Sequence, residues 1–412
     1  MINSLQVIRR FAFCEWGGTE TVVWNTSQEL QRTGNQVEIL ATQALAQKQN
    51  EVRNEIPIRR FNYFYPYLNL TSIKKQILDK KGGDPYSWCL YKYMRDKKDL
   101  DIIHCHTMNR IAASVRLAAR KRKIPYLVSF HGGHFDVPAE EMKLMVKPYK
   151  NTFNYGKLID LMIQKNRYLT DADAIICVGY NEFEITRDKY PEKLVYYLPN
   201  GVNIEKFKPL VENDFREKYQ IEHDTKMILC LSRIDYQKNQ AILIELVERL
   251  RGKEKKAHLV LLGPVTSETY HEKLKDMIKA YSLDKQITII PGLESDSADL
   301  IKAYQAADVF ILPSIHEPFG IVVLEAWASG LPVITSGVGG LKHLVQNERT
   351  GLVFDGSLDD LEKKYRQLVD NPGLMEELKQ NALTEVKAEY SWTSVTAKLL
   401  DYYGEIMENF RY

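Results

Sequence analysis

Glu317-Pro318-Phe319-Gly320-Ile321-Val322-Val323-Leu324-Glu325-Ala326-Trp327-Ala328-Ser329-Gly330-Leu331-Pro332-Val333 sets two carboxylates around an apolar helix that a glycine opens. Phe319, Ile321, Val322, Leu324, Ala326, Trp327 and Ala328 leave almost no polar face, so the helix is expected to be largely buried and its carboxylates to need partners. Gly320 can begin the helix with unpaired backbone N–H groups aimed at an anion, which the helix dipole also favours. That arrangement suits a nucleotide sugar. The N–H groups would face its diphosphate, while Glu317 ahead of the helix and Glu325 within it would accept hydroxyls on either side. An isolated Glu-x7-Glu spacing reads as two solvated glutamates; the apolar surroundings reverse that reading here.

Outward from this stretch, short β-rich runs alternate with amphipathic segments, the pattern of parallel sheets built from βαβ units. One series comprises Val7-Ile8, 37–40, 102–104, 126–130, 174–177 and 194–198, with a first helix from Thr19 to Arg32 closed by Gly34. A second comprises 227–231, 258–262, 287–290, 309–312 and 333–335. Pro199-Asn200-Gly201-Val202-Asn203 is a turn-forming cluster between them. At 412 residues the chain suits two domains of roughly 200 residues each. The expectation is therefore an α/β chain of two Rossmann-like domains, 1–198 and 199–390, with ligand at the carboxyl ends of the strands, in a cleft between them.

No apolar run approaches the ~20 residues of a membrane span, and the N-terminus lacks a signal-peptide core, so a cytoplasmic protein is expected. Cys14, Cys89, Cys105, Cys177 and Cys230 are odd in number and scattered, which fits reduced thiols rather than a disulfide framework. The net charge of +2 hides an asymmetry: residues 1–200 carry 30 Lys+Arg against 21 Asp+Glu, and the remainder 26 against 33. Basic residues gather at Lys74, Lys75, Lys80 and Lys81, at Arg95, Lys97 and Lys98, and at Arg116 and 120–123. Solvated helix faces account for such clusters, as does attraction to an anionic membrane surface or a phosphorylated acceptor. No nucleic-acid module accompanies the charge, and nucleic acid is not expected as a partner.

The E-P-F-G-I-x-x-L-E-A-x-A-x-G-x-P-V run resembles the signature of the retaining glycosyltransferases of family 4, which have the GT-B fold. The resemblance is strong over residues 195–355 and weaker before them, where Gly17-Gly18, His106 and His131 are the anchors. It implies two facing Rossmann-like domains and a final helix, here about 391–412, that returns to the N-terminal domain. It also implies a site. Arg233 and Lys238, in Ser232-Arg233-Ile234-Asp235-Tyr236-Gln237-Lys238-Asn239, match an Arg and a Lys that bind the donor phosphates; the run leaves an apolar strand and enters a helix near Asn239, which puts both residues on a loop. The physical logic stands by itself, since a guanidinium, an ammonium and a helix N-terminus stabilise a departing diphosphate without a metal ion. Glu317 would hold sugar hydroxyls and Glu325 the ribose, with Phe319, Gly320 and Ile321 around the donor. Gly263 and Leu293 end strands whose loops hold the base. Gly17 and Gly18 open the first helix near the donor phosphates. His131, in Ser129-Phe130-His131-Gly132-Gly133-His134, would lie beside the donor sugar, and His106 on the acceptor side. Gly337-Val338-Gly339-Gly340 also matches the family, whereas Lys342-His343 stands where Pro-Glu is common.

The expected activity is transfer of a hexosyl unit, with a UDP-sugar ahead of a GDP-sugar as donor, to a hydroxyl of a glycan or lipid-linked glycan, with no cofactor and no metal. A peripheral place on the inner face of a membrane is compatible with it. Phe61, Tyr63, Phe64, Tyr65 and Tyr67 could stack on a sugar, touch a lipid or simply pack under a loop. A metal reading of His104-Cys105-His106, or of His131 with His134, lacks a completing ligand. Rival functions are a nucleotide-sugar epimerase on the same scaffold, a phosphorylase lacking an evident pyridoxal-lysine context, and a non-catalytic nucleotide-sugar binder.

Overall fold

The computed structural model describes residues 1–80, 82–132, 152–208, 212–252, 256–293 and 297–411. Lys81, Gly133 and His134, singled out in the sequence, lie outside the described residues. The chain divides into two compact units, Met1–Pro199 with Val395–Tyr412, and Asn200–Ser394.

The first unit is built on β1 (Asn3–Arg10), β2 (Gln36–Thr42), β3 (Asn50–Arg53), β4 (Ile56–Phe61), β6 (Ile102–Cys105), β7 (Tyr126–Phe130), β9 (Ala174–Cys177) and β10 (Leu194–Tyr197), ordered β10-β9-β7-β6-β1-β2-β4-β3. All pairs are parallel except the edge hairpin of β3 and β4. A separate two-stranded ribbon pairs β5 (Tyr67–Leu68) with β8 (Phe153–Asn154). Strands β6, β7 and β9 are buried throughout, as a sheet covered on both faces requires. Strand β4, next to the edge strand β3, escaped the sequence reading because Pro57, Arg59 and Arg60 interrupt it. Arg60 is nonetheless buried, its guanidinium donating to the carbonyl oxygens of Phe11 at 2.6 Å and Lys48 at 3.0 Å.

The second unit carries a six-stranded parallel sheet of β11 (Lys226–Leu231), β12 (Ala257–Leu262), β13 (Ile287–Ile290), β14 (Val309–Leu312), β15 (Val333–Ser336) and β16 (Leu352–Phe354), ordered β13-β12-β11-β14-β15-β16. The chain runs outward from β11 to β13, then returns to β14 on the other side of β11. That reversal opens a crevice between the carboxyl ends of β11 and β14. In the first sheet the corresponding reversal falls between β1 and β6. Each unit therefore has one topological switch point.

The opening helix spans Gly18–Arg32, and Gly34 takes a left-handed φ of +81° behind it. The helix of the signature stretch spans Ile321–Ala328. Gly320 precedes it at φ +99°, the region that favours glycine, and a Cβ there would also press on the Leu341 Cδ2 methyl, 2.7 Å away. Trp327 is completely buried, which explains why the helix has no polar face. The final helix, Trp392–Asn409, starts where Trp392 packs on the backbone of Gly201, and Tyr403 is buried in the first unit. All five cysteines are free thiols, Cys105, Cys177 and Cys230 being buried. Among the described residues, no helix is long and apolar enough to cross a membrane.

Candidate functional site

In the second unit the switch point is occupied by Lys238, which follows β11, and Glu317, which follows β14. Their Nζ and Oε2 atoms are 2.7 Å apart, and both side chains are largely buried. Local geometry places Lys238 on its partner. Asp235 accepts from the Gln237 N–H at 2.9 Å and caps a 3-10 turn, Tyr236–Lys238, where the sequence had a loop. The Gln240 side chain donates to Ser232 Oγ at 3.0 Å and to the Arg233 carbonyl at 2.8 Å. Ile315 N–H donates to the Gln237 carbonyl at 2.7 Å, tying the β14 loop to that turn. The α-helix starts at Ala241 rather than near Asn239, because Asn239 adopts a left-handed φ of +50°.

Glu317 is held from its other side by the glycine loop after β15. Gly340 N–H donates to the Glu317 carbonyl at 2.8 Å, and a Cβ on Gly340 would lie 2.8 Å from Phe319 Cα. Gly263, at φ +151°, gives the Ser232–Arg233 turn room that any side chain would take. Arg233 is half-exposed and rests on Asp235 at 3.4 Å, so it does not join the Lys238–Glu317 pair. Glu325 likewise sits apart. Its Oε2 accepts from the Tyr304 hydroxyl at 2.7 Å; burial raises the carboxyl above the ordinary range, and the Tyr304 bond opposes that shift. Leu293 follows β13 in a half-buried loop beside Gly292.

The first unit's switch point holds a cavity of about 270 Å³, lined by Arg9, Arg10, Thr19, Glu20, His106 and His131 among others. Arg10 Nε lies 3.0 Å from Glu20 Oε1, and a Cβ on Gly17 would come 2.9 Å from Glu20 Oε2. Gly17 thus makes room for a buried carboxylate, while Gly18 faces open space.

Two sequence candidates, His106 and His131, meet here: His106 Nδ1 and His131 Nε2 are 3.0 Å apart. Behind them lies a chain of polar groups that no motif announced. The Gln6 amide nitrogen donates to the Tyr403 hydroxyl at 3.1 Å and to Ser4 Oγ at 3.2 Å, which directs its Oε1 at His106 Nε2, 2.8 Å away. His106 Nε2–H therefore donates to Gln6, and its Nδ1 accepts from His131 Nε2–H. His131 Nδ1 is left as a lone pair, buried and without a partner among the described residues. Burial lowers the pKa of all three imidazoles in this cluster, that of His131 to about 4, so they are neutral near pH 7. His104 commits both ring nitrogens, to Tyr403 at 2.8 Å and to Ser129 at 2.6 Å, and neither is spare for a metal. Among the described residues, the group with metal-ligand spacing is Glu268, His271 and Glu272, on a helix outside the switch-point constellation.

Gln6 and Tyr403 were missed. The available signal was a lone glutamine inside the otherwise apolar run Leu5–Ile8, which a buried strand tolerates only with partners.

A family model described as Glycosyltransferase Family 4 matches residues 16–206, and one described as Glycosyl transferases group 1 matches residues 211–385. An uncharacterized glycosyltransferase of Methanocaldococcus jannaschii is 28% identical over 322 residues, covering 75% of this chain and 76% of its own. The alpha-monoglucosyldiacylglycerol synthase of Streptococcus pneumoniae is 30% identical over 302 residues, 70% of this chain and 64% of that protein. The crystal structure of Anabaena HepE in complex with UDP aligns with a TM-score of 0.68 at 15% identity, covering 98% of this chain and 100% of that one.

Proposed function

The chain belongs to the glycosyltransferases of family 4 and group 1, with the GT-B fold, and from that premise we propose a metal-independent, retaining hexosyltransferase. The observation that carries the proposal is the Lys238–Glu317 pair at the second switch point, 2.7 Å apart. A nucleotide sugar brings a diphosphate for the ammonium and hydroxyls for the carboxylate, so one ligand answers both groups. Arg233, half-exposed on its loop, adds a second cation for the diphosphate. Gly320 and the N–H groups behind it add a third positive element. Glu325 takes the ribose, its Oε2 fixed by Tyr304.

In the transfer, the C1–O bond to the diphosphate breaks as negative charge grows on the leaving oxygen. Arg233 and Lys238 stabilise that charge. The departing phosphate oxygen takes the proton of the incoming hydroxyl, whose oxygen bonds to C1 on the same face. His131 and His106 serve the sugar and the acceptor. The cations need no metal ion to do this. A UDP-sugar is the first donor to test and a GDP-sugar the second. The acceptor is a hydroxyl of a glycan or lipid-linked glycan, a reading supported by the lipid product for which the Streptococcus relative is named.

Mass-spectrometric release of nucleoside diphosphate from UDP-, GDP- and ADP-sugars, with EDTA or magnesium, tests this reading. Release from one donor that survives EDTA and collapses in Glu317→Ala is expected. Full kcat/KM in Glu317→Ala, or dependence on added metal, overturns it. The anomeric configuration of the product, read by NMR, decides retention.

A further inference from the structure

The helix Gly156–Met162 has too apolar an outer side for a water-facing surface. Its inner side mixes Ile159, which packs on the first unit's core, with Asp160, which accepts from Arg110 Nε at 2.7 Å and from Nη2 at 3.0 Å, and Gly156 is buried. Its outer side presents Leu158, Leu161 and Met162, which are 72%, 75% and 80% exposed. A soluble surface helix does the reverse. The exposure also continues beyond this helix. Phe153 and Leu68 face each other across the β5–β8 ribbon, 66% and 53% exposed, and β5 runs into the helix Ser72–Lys80, where Ile73 is likewise exposed. Six exposed apolar side chains on connected elements are a patch rather than scattered single residues.

The charged side chains on the elements of the patch are mostly basic. Lys74, Lys75 and Lys80 lie on the Ser72–Lys80 helix and Lys157 on Gly156–Met162; Lys80 pairs with Glu15 at 2.9 Å and Lys75 stands 4.9 Å over the Tyr63 ring, while the acids of these two helices, Asp79 and Asp160, are turned to partners within the unit. We infer that this face docks on an anionic lipid bilayer, with the leucines and methionine in the acyl boundary and the lysines at the headgroups. The inference rests on the proposed transfer to a membrane-borne acceptor, and one residue links the two. Arg9 donates to the carbonyl oxygens of Leu78 at 3.2 Å and Asp79 at 2.9 Å, closing the Ser72–Lys80 helix, and also lines the cavity with His106 and His131. An acceptor held in the bilayer beneath that helix is thereby presented next to the cavity.

Flotation of the full chain with phosphatidylcholine vesicles, with and without 30% phosphatidylglycerol, tests the inference against Leu161→Glu/Met162→Glu and Lys74→Glu/Lys75→Glu. The wild type should float with the anionic vesicles and release from them in 0.5 M NaCl. Each double variant should bind at least tenfold more weakly while keeping the wild-type Tm. Equal flotation of the wild type and Leu161→Glu/Met162→Glu, or no flotation of the wild type, overturns the proposal. So does concentration-dependent dimerisation of the wild type that the leucine–methionine variant abolishes, which would make the face a contact between copies. Nucleoside diphosphate release in detergent-free buffer separates the two readings. Flotation without any donor turnover leaves the bilayer surface standing and removes the transferase reading, while turnover without flotation does the opposite.

Discussion

Replacing Gly340 with alanine isolates how tightly Glu317 must be held. Gly340 has φ −66° and ψ −25°, an ordinary helical conformation in which alanine has no intrinsic penalty. Any effect must therefore come from the added methyl group. It would press hardest on the Pro318 carbonyl oxygen and lie 2.8 Å from both Phe319 Cα and the Pro318 carbonyl carbon, whereas carbon atoms rest at about 3.5 Å. The Glu317–Phe319 backbone must retreat by at least about 0.7 Å, and the Gly340 N–H bond to the Glu317 carbonyl retreats with it. Overpacking of this kind costs about 2 kcal/mol, or a fall in Tm of roughly 4–8 °C for a unit of this size. A misplacement near 1 Å costs on the order of 100-fold in kcat/KM. Gly373→Ala is the control, because its methyl group would meet nothing closer than 3.5 Å. The assay is nucleoside diphosphate release on the donor identified above, with Tm measured on the same preparations. If Gly340→Ala keeps kcat/KM within threefold of Gly373→Ala, the exact placement of Glu317 does not govern the reaction.

Two further expectations follow from the first unit. Gln6→Leu strands the His106 Nε2–H, at a cost of about 1–3 kcal/mol, and frees the tautomer of His131. Histidine ¹⁵N shifts should show an unprotonated Nδ1 at His131 in the wild type and a tautomer mixture in the variant; identical spectra would refute the relay. Stability should also depend on pH through the imidazoles. His131 and His258 titrate at about 4 when folded and near the ordinary 6.5 when unfolded, so in between the unfolded chain binds more protons. Their contribution is complete above pH 6.5 and is lost as pH falls toward 4. Tm should be level from pH 8 to 6.5 and decline from 6.5 to 5, less so in His131→Asn/His258→Asn. A decline of equal slope in that double variant would place its origin elsewhere.

Central strands were legible in the sequence because both their faces are covered, which forces continuous apolar runs such as Leu229-Cys230-Leu231 and Val309–Leu312. Edge elements were not. β3 and β4 mix charge with apolar residues because one side meets solvent, β5 and β8 are two residues long, and β16 has three. The second unit's site residues were legible as a motif, since Glu317, Gly320 and Glu325 lie within one stretch. The pairing of Lys238 with Glu317 was not, because 79 residues separate them. Nor was the support behind His131, where Gln6 and Tyr403 meet across 397 residues and neither carries a pattern of its own. Such contacts are specified by topology, and a single chain without its fold does not display them.

Tyr403 imposes an order on the birth of the molecule. Domains commonly fold as they leave the ribosome, the N-terminal one first, at about 5–20 residues per second. Here the first unit's strands emerge early, yet the hydroxyl that Gln6 and His104 require belongs to the helix Trp392–Asn409, beyond the whole second unit. Until that helix has emerged, those two polar side chains lack their partner, and the second unit, contiguous from Asn200 to Ser394, can complete itself beforehand. Of these two units, the one synthesised first is therefore the one completed second, and a nascent chain carries no finished imidazole cluster until Tyr403 has emerged.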